Sequence, residues 1–288
     1  MGVKQKLLAY FRLMRIQSGA SESLLLLLGA LTMGQRNLVL LTVIFFIGLL
    51  YHIDGFISNE YADIEVDRLS PELQNKPLVS GIVSKKYALS VAWAACIGAY
   101  LLTILFFFSP LPLLLLSLAV LIGTVYNFFR KKISGVSDFI VAGSLACMFL
   151  FGASTVTVHL SLLSFILSLL VFFGLVFANA IESGLKDVDH DYRGGMKTLA
   201  TITGVTVNEG RLRITKTFAA FACTCIAVCF VLLLFLGFQP EVHFWSAGYL
   251  SLGITAVLSI VVLLASYTLL HLRVFDRIKI KRLYAVIN

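Results

Sequence analysis

Asn59, Asp63 and Asp67 recur at every fourth position of the stretch NEYADIEVDRL, directly after an apolar run. If that run continues as a helix past Gly55, positions i, i+4 and i+8 drift by about 40° per step, about 80° in all, at 3.6 residues per turn, so the three side chains share one face. A second stretch, LKDVDHDYRGGMKTL, places Asp187 and Asp191 at the same spacing with Lys186 beside them. Carboxylates gathered beside a low-dielectric region repel one another, and a divalent cation is the usual remedy. Oxygen-only donors from Asp and Asn suit Mg²⁺, which keeps several waters and bridges to phosphate oxygens. The expected ligands are therefore Asn59, Asp63, Asp67, Asp187 and Asp191. Lys76, Lys131, Arg193 and Lys197 are the candidate counter-charges for a diphosphate. Glu60 and Glu65 lie off the shared face and are expected in solvent.

Other uses of these residues fit less well. In DVDHDYRGGMKT, Asp187, Asp189 and Asp191 fill the first, third and fifth places of a calcium loop, but Tyr192 stands where Gly is required and Thr198 where the bidentate Glu belongs. Asp54-Gly55 opens like the motif of membrane phosphotransferases that use CDP-alcohols, but no Ala-Arg follows it. There is no Walker loop, and Gly194-Gly195 is a turn signal.

The elements that must position these groups are membrane helices. The 288 residues are 59% hydrophobic and 13% charged, with a mean hydropathy of +0.95. Tyr87–Phe129 and Phe139–Ile181 each run 43 residues without Asp, Glu, Lys or Arg, enough for two spans of about 20 residues apiece. Pro110 and Pro112 divide the first stretch, and the polar Thr155–His159 region divides the second. Asn37–Ile53, Thr217–Pro240, Val242–Leu272 and a shorter segment at Gly19–Met33 bring the expected count to eight. The basic Met1–Arg15 segment does not read as a removable signal peptide, and Cys96, Cys147, Cys223, Cys225 and Cys229 read as small apolar residues within spans.

Sorting loops by side puts every basic residue except Arg36 on one face. The positive-inside rule makes that face cytoplasmic, and the net charge of +8 then reflects topology rather than nucleic-acid binding. Most acidic residues share it: Glu60, Asp63, Glu65, Asp67 and Glu72 follow the second span, and Glu182, Asp187, Asp189, Asp191 and Glu209 follow the sixth. Similar phrases, NKPLVSG and MKTLATITG, come after each cluster. The expectation is an all-α, polytopic membrane bundle of eight to nine helices forming one domain over 1–288. Its pseudo-twofold four-helix halves, about 1–135 and 136–288, would surround a central cavity flanked by acidic cytoplasmic loops 58–86 and 181–213.

Asn59-x3-Asp63-x3-Asp67 with NKPLVSG, and Lys186-Asp187-x3-Asp191 with GGMKTL, resemble the two aspartate-rich signatures of the UbiA superfamily of intramembrane prenyltransferases. The likeness extends to Arg15 before the first span and to VYNFFRKK after the fourth, while Ser137-Asp138 stands where a Gly-Asn pair is frequent. The resemblance implies transfer of an isoprenyl chain from its diphosphate to a lipophilic acceptor, a quinone-precursor aromatic or an archaeal-type glycerol-phosphate ether lipid, with two Mg²⁺ ions. It further implies roles for Tyr126 and for one of Arg130, Lys131 or Lys132; Arg15, Lys131 and Lys197 are expected to hold the diphosphate and Tyr126 to face the carbocation. His52, Asp54 and Glu22 are intramembrane ionisable groups, of which Asp54 or Glu22 is a candidate for orienting or deprotonating the acceptor. A cation- or proton-coupled transporter with the acidic loops as ion site is the alternative. Transporters, however, place such charges near the bilayer midplane, whereas these lie at a membrane face beside cations suited to phosphate.

Overall fold

A computed structural model of the chain describes residues 3–68, 73–129, 135–239, 242 and 249–287, with the backbone alone at 3–6, 17, 193, 250 and 251. The elements in chain order are α1 (Val3–Met14), α2 (Ile16–Thr32), α3 (Leu38–Asp67), α4 (Lys85–Phe106), α5 (Pro110–Phe129), α6 (Ser137–Ser154) and α7 (Leu162–Val176). A π-helical segment (Phe177–Ser183) then runs into α8 (Gly184–Arg193), followed by α9 (Leu199–Ile202), strands β1 (Thr206–Asn208) and β2 (Arg211–Arg213), α10 (Lys216–Gly237), α11 (Tyr249–Leu270) and α12 (Arg277–Ile287). Among the described residues seven helices are long and apolar enough to cross a membrane, and the apolar helix at Ser18–Thr32 is shorter. The breaks fall where the prolines and the polar 155–159 region predict them, with α4 ending at Phe106 before Pro110 and α6 ending at Ser154.

Helix starts are fixed by side-chain acceptors. Asn37 Oδ1 takes the N–H groups of Val39 and Leu40 at 2.9 and 3.3 Å, and Ser84 and Thr215 cap α4 and α10 in the same way. The 30 residues of α3 make a rod of about 45 Å, against a hydrocarbon core of about 30 Å. A crossing that begins near Leu38 is therefore complete near Asn59, and the acidic end of α3 projects past the apolar slab. The segments expected as acidic loops are accordingly helical over 58–67 and 181–193.

Two compact units make up the chain. The first comprises Met1–Phe129 with Gly143–Ser168, and the second Arg130–Ala142 with Leu169–Asn288. In the first, α3 packs against α1, α2, α4 and α5. Its core is Leu26, Ile44, Ile47, Leu116, Met148 and Phe151, with a second cluster of Leu13, Ile57, Ile64, Leu78 and Val83 toward the acidic end. Helices in lipid associate through close packing and polar contacts rather than water exclusion, so small residues mark their seams. A Cβ on Gly48 would stand 2.6 Å from Ser23 Cα, and one on Gly19 would stand 2.7 Å from Leu49 Cδ1, so α2 and α3 nearly touch. Gly29 and Gly152 do the same for α2 and α6, each lying against the other helix's backbone, at Phe149 and Leu26.

In the second unit the π segment, α8, α9, α10 and α12 share a core of Ile181, Leu185, Val188, Ala200, Phe218 and Ile280. The all-α expectation misses one small feature. β1 and β2 pair antiparallel in the register Thr206↔Arg213, around a turn in which Glu209 and Gly210 both have positive φ, as tight hairpins require. Leu212 N–H donates to Arg273 C=O and Phe275 N–H to Gly210 C=O, each at 2.8 Å. The hairpin thus ties the chain leaving α11 to the segment entering α10.

Candidate active site

α3 sets Asn59, Asp63 and Asp67 along one face, and Asp63 and Asp67 are only 6% and 7% exposed. Asn59 is oriented from α5 by a residue the spacing does not single out, Asn127. The Gly55 carbonyl can only accept, so the Asn127 amide must donate to it, at 3.0 Å, which turns Asn127 Oδ1 toward Asn59 Nδ2 at 3.1 Å. Asn59 Oδ1, the atom a cation would use, therefore lies outside the pair. A buried Asn in an apolar helix is itself a signal that could have found this residue. Asn127→Leu is expected to raise the Mg²⁺ concentration for half-maximal activity about tenfold or more, the usual scale for loss of a supporting hydrogen bond. A metal titration of the variant checks this.

Asp67 accepts from Lys76 Nζ at 2.7 Å, and the same ammonium reaches Glu60 Oε2 at 3.0 Å. Glu60 Oε1 in turn takes Arg15 Nη2 at 2.7 Å. Glu60 is thus not a solvated residue as expected from its place off the metal face. It is 7% exposed, because α1 and the segment after α3 bring one cation to each of its oxygens. Glu65 does lie in solvent, its side chain 71% exposed, paired with Lys85 at 3.0 Å. Burial works against the Lys76 charge, but the hydrogen bond to Asp67 and the Glu60 carboxylate outweigh it and hold the ammonium protonated above the usual lysine range. Tyr126 on α5 and Asp54 on α3 are half-buried, with Ser58 Oγ 3.5 Å from Asp54 Oδ1.

In the second unit the helix following α7 widens into the π segment, which rephases α8; such segments recur at functional sites. Lys186 Nζ pairs with Asp187 Oδ2 at 3.1 Å, and Asp187 is half-exposed. Asp191 lies a turn on, hydrogen-bonded to Thr198, with the Asp187 and Asp138 carboxylates and His190 acting on it electrostatically. Asp138, noted in the sequence only as a departure from the Gly-Asn pair, therefore belongs to this anionic group. The chain then turns through Gly194 and Gly195, whose φ of 65° favours glycine, and Met196 N–H closes the turn on the Asp191 carbonyl at 2.8 Å. Asp189 points to the opposite side of α8, where Arg277 of α12 donates to its Oδ1 at 2.7 Å and to the Lys186 carbonyl at 3.1 Å. Lys197 is exposed. Lys131 and the Arg193 side chain lie outside the described residues.

Among the described residues no three His, Cys, Asp or Glu side chains converge to hold a metal ion. That is compatible with Mg²⁺, which is commonly bound through one or two carboxylates together with waters and substrate phosphates rather than in an all-protein cage. Hard carboxylate and carboxamide oxygens beside Lys and Arg are donors that suit Mg²⁺ rather than zinc or copper.

The chain matches the UbiA prenyltransferase family over residues 23–285. It is 28% identical over 263 residues to a digeranylgeranylglyceryl phosphate synthase of Methanoculleus marisnigri, covering 90% of this chain and 85% of the relative. It is 32% identical over 136 residues to a 4-hydroxybenzoate octaprenyltransferase of Shewanella frigidimarina, covering 46% of this chain and 47% of the relative. A solved structure of a UbiA homolog from Archaeoglobus fulgidus, bound to GPP and Mg²⁺, superposes with a TM-score of 0.67 at 18% identity over 97% of this chain and 99% of that one.

Proposed function

Since the chain belongs to the UbiA prenyltransferase family and is a transferase of prenyl groups, we propose that it moves an isoprenyl chain from its diphosphate to a glycerol-phosphate ether lipid of the archaeal type. The observation that carries the site assignment is the face of Asn59 and the buried Asp63 and Asp67 at the end of a membrane-length helix, with Lys76 and Arg15 alongside. The acceptor assignment rests on the synthase relative, which matches nearly the whole chain, whereas the 4-hydroxybenzoate enzyme matches less than half of it.

Asn59, Asp63 and Asp67 on α3 would hold one Mg²⁺ and Asp187 and Asp191 on α8 another; the use of a divalent metal with a prenyl diphosphate is supported by the UbiA homolog bound to GPP and Mg²⁺. When bound, the metal neutralises charge on the departing diphosphate. Arg15, Lys76, Lys131, Lys186, Arg193 and Lys197 would supply further positive charge for diphosphate oxygens. The Tyr126 ring stabilises the allylic cation by about 2 kcal/mol when desolvated, and the surrounding apolar helices keep out water that would quench it. Asp54 orients the acceptor. By the positive-inside rule the acidic motifs lie at the cytoplasmic face, with α2 completing eight crossings.

The test is incubation of the purified chain with labelled geranylgeranyl diphosphate, Mg²⁺ and either a geranylgeranylglyceryl phosphate acceptor or 4-hydroxybenzoate. Label is expected in the ether lipid. Label in the aromatic acid alone would overturn the acceptor assignment.

A further inference from the structure

Arg15 separates α1 from α2 in a conformation that L-residues with a side chain rarely adopt, φ 45° and ψ 42°. A non-glycine residue persists there only when its surroundings over-determine it, and Arg15 is held at both ends. Its guanidinium donates to the buried Glu60 at 2.7 Å and lies 5.0 Å over the Phe56 ring. Its carbonyl lies 3.1 Å from Nε2 of His52, an imidazole with no exposed side-chain surface.

The tautomer of His52 follows from its partners. A carbonyl only accepts, so Nε2 carries the hydrogen. The other nitrogen, Nδ1, lies 3.3 Å from Glu22 Oε1. The two atoms are in contact but outside hydrogen-bond geometry, and Nε2–H stays committed to Arg15. The ring can sit there because Gly19 leaves room, a Cβ at that position standing 3.1 Å from His52 Cδ2. On its other side His52 packs against Phe56 at 4.3 Å between ring centres, so one aromatic ring supports both the imidazole and the guanidinium.

We propose that Glu22 and His52 form a positioning pair for Arg15: Glu22 fixes the imidazole, and the imidazole fixes the backbone kink that delivers the guanidinium to the acidic end of α3. This inference rests on the diphosphate-binding role proposed for Arg15, and it assigns a use to a buried imidazole and a part-buried carboxylate inside the first unit that the metal chemistry leaves unused. Orientation of one catalytic group by a carboxylate acting through an imidazole is a general device, here directed at a backbone carbonyl.

The test is a double-mutant cycle on the full-length protein, reading KM for geranylgeranyl diphosphate and kcat separately. His52→Leu is expected to raise the donor KM about tenfold with kcat within about twofold, the scale of one lost hydrogen bond. His52→Gln, whose amide N–H can reach the same carbonyl, restores most of the loss. Added to Arg15→Ala, neither His52→Leu nor Glu22→Ala produces a further rise, because both act through Arg15. Losses that add to that of Arg15→Ala would show a merely structural role and overturn the proposal. If His52→Leu fails to fold, Glu22→Ala, at a partly exposed position, carries the same comparison. A wild-type KM in Arg15→Ala would remove the diphosphate role of Arg15 and the pair with it. A raised KM in Arg15→Ala beside a wild-type KM in the His52 and Glu22 variants would remove the pair alone.

Discussion

Alanine at Asp63 or at Asp187 is expected to lower the rate of prenyl transfer by about 10²–10³-fold, the scale at which loss of one charge-stabilising group is felt. Asp63 is the middle residue of the α3 triplet, 6% exposed, while Asp67 and Glu60 on the same helix are already engaged by Lys76. Removing Asp63 takes one of the two buried carboxylates, Asp63 and Asp67, from the face that carries Asn59. Asp187 opens the second motif, half-exposed and paired with the ammonium of Lys186, a carboxylate of α8 accessible to an incoming cation. Neither residue belongs to a hydrophobic cluster, so both variants should keep wild-type helix content by circular dichroism while a labelled-product assay records the loss. A wild-type rate in either variant would remove that residue from the site.

Withdrawal of metal is expected to have the larger effect, about 10³-fold or more, because it takes away charge neutralisation contributed through every carboxylate at once. EDTA should abolish transfer, and excess Mg²⁺ should restore it. Ca²⁺ should support it poorly, since Ca²⁺ takes six to eight oxygens at longer distances, whereas the paired carboxylates offer few protein ligands. Parallel rate measurements with each metal check the order. Full activity in EDTA would contradict the assignment of both acidic motifs.

The triplet Asn59, Asp63 and Asp67 was legible because its spacing matches the helical period and its helix is long: only the 3.6-residue repeat is needed to put the three on one face. Glu65 was also read correctly as solvated. Glu60 was not, because a single-helix projection says where a side chain leaves its own helix and nothing about what approaches it. Its partners come from Arg15, 45 positions earlier, and from Lys76 in the following segment. Asn127 escaped for the same reason, lying within VYNFFRKK beside the more conspicuous Tyr126. The hairpin at 206–213 was missed because strands of three residues are too short to display an alternating pattern. The breaks between helices were plain, since proline and polar residues interrupt otherwise charge-free runs.

Binding of an unreactive geranylgeranyl thiolodiphosphate separates capture of the donor from the chemistry that follows, and so tests the central assignment most directly. Wild-type protein is expected to bind the analogue in Mg²⁺ and to lose at least about tenfold in affinity in EDTA, with a comparable loss in Asp63→Ala and in Asp187→Ala even when Mg²⁺ is present. Equal affinity with and without metal, or wild-type affinity in both variants, would contradict the account.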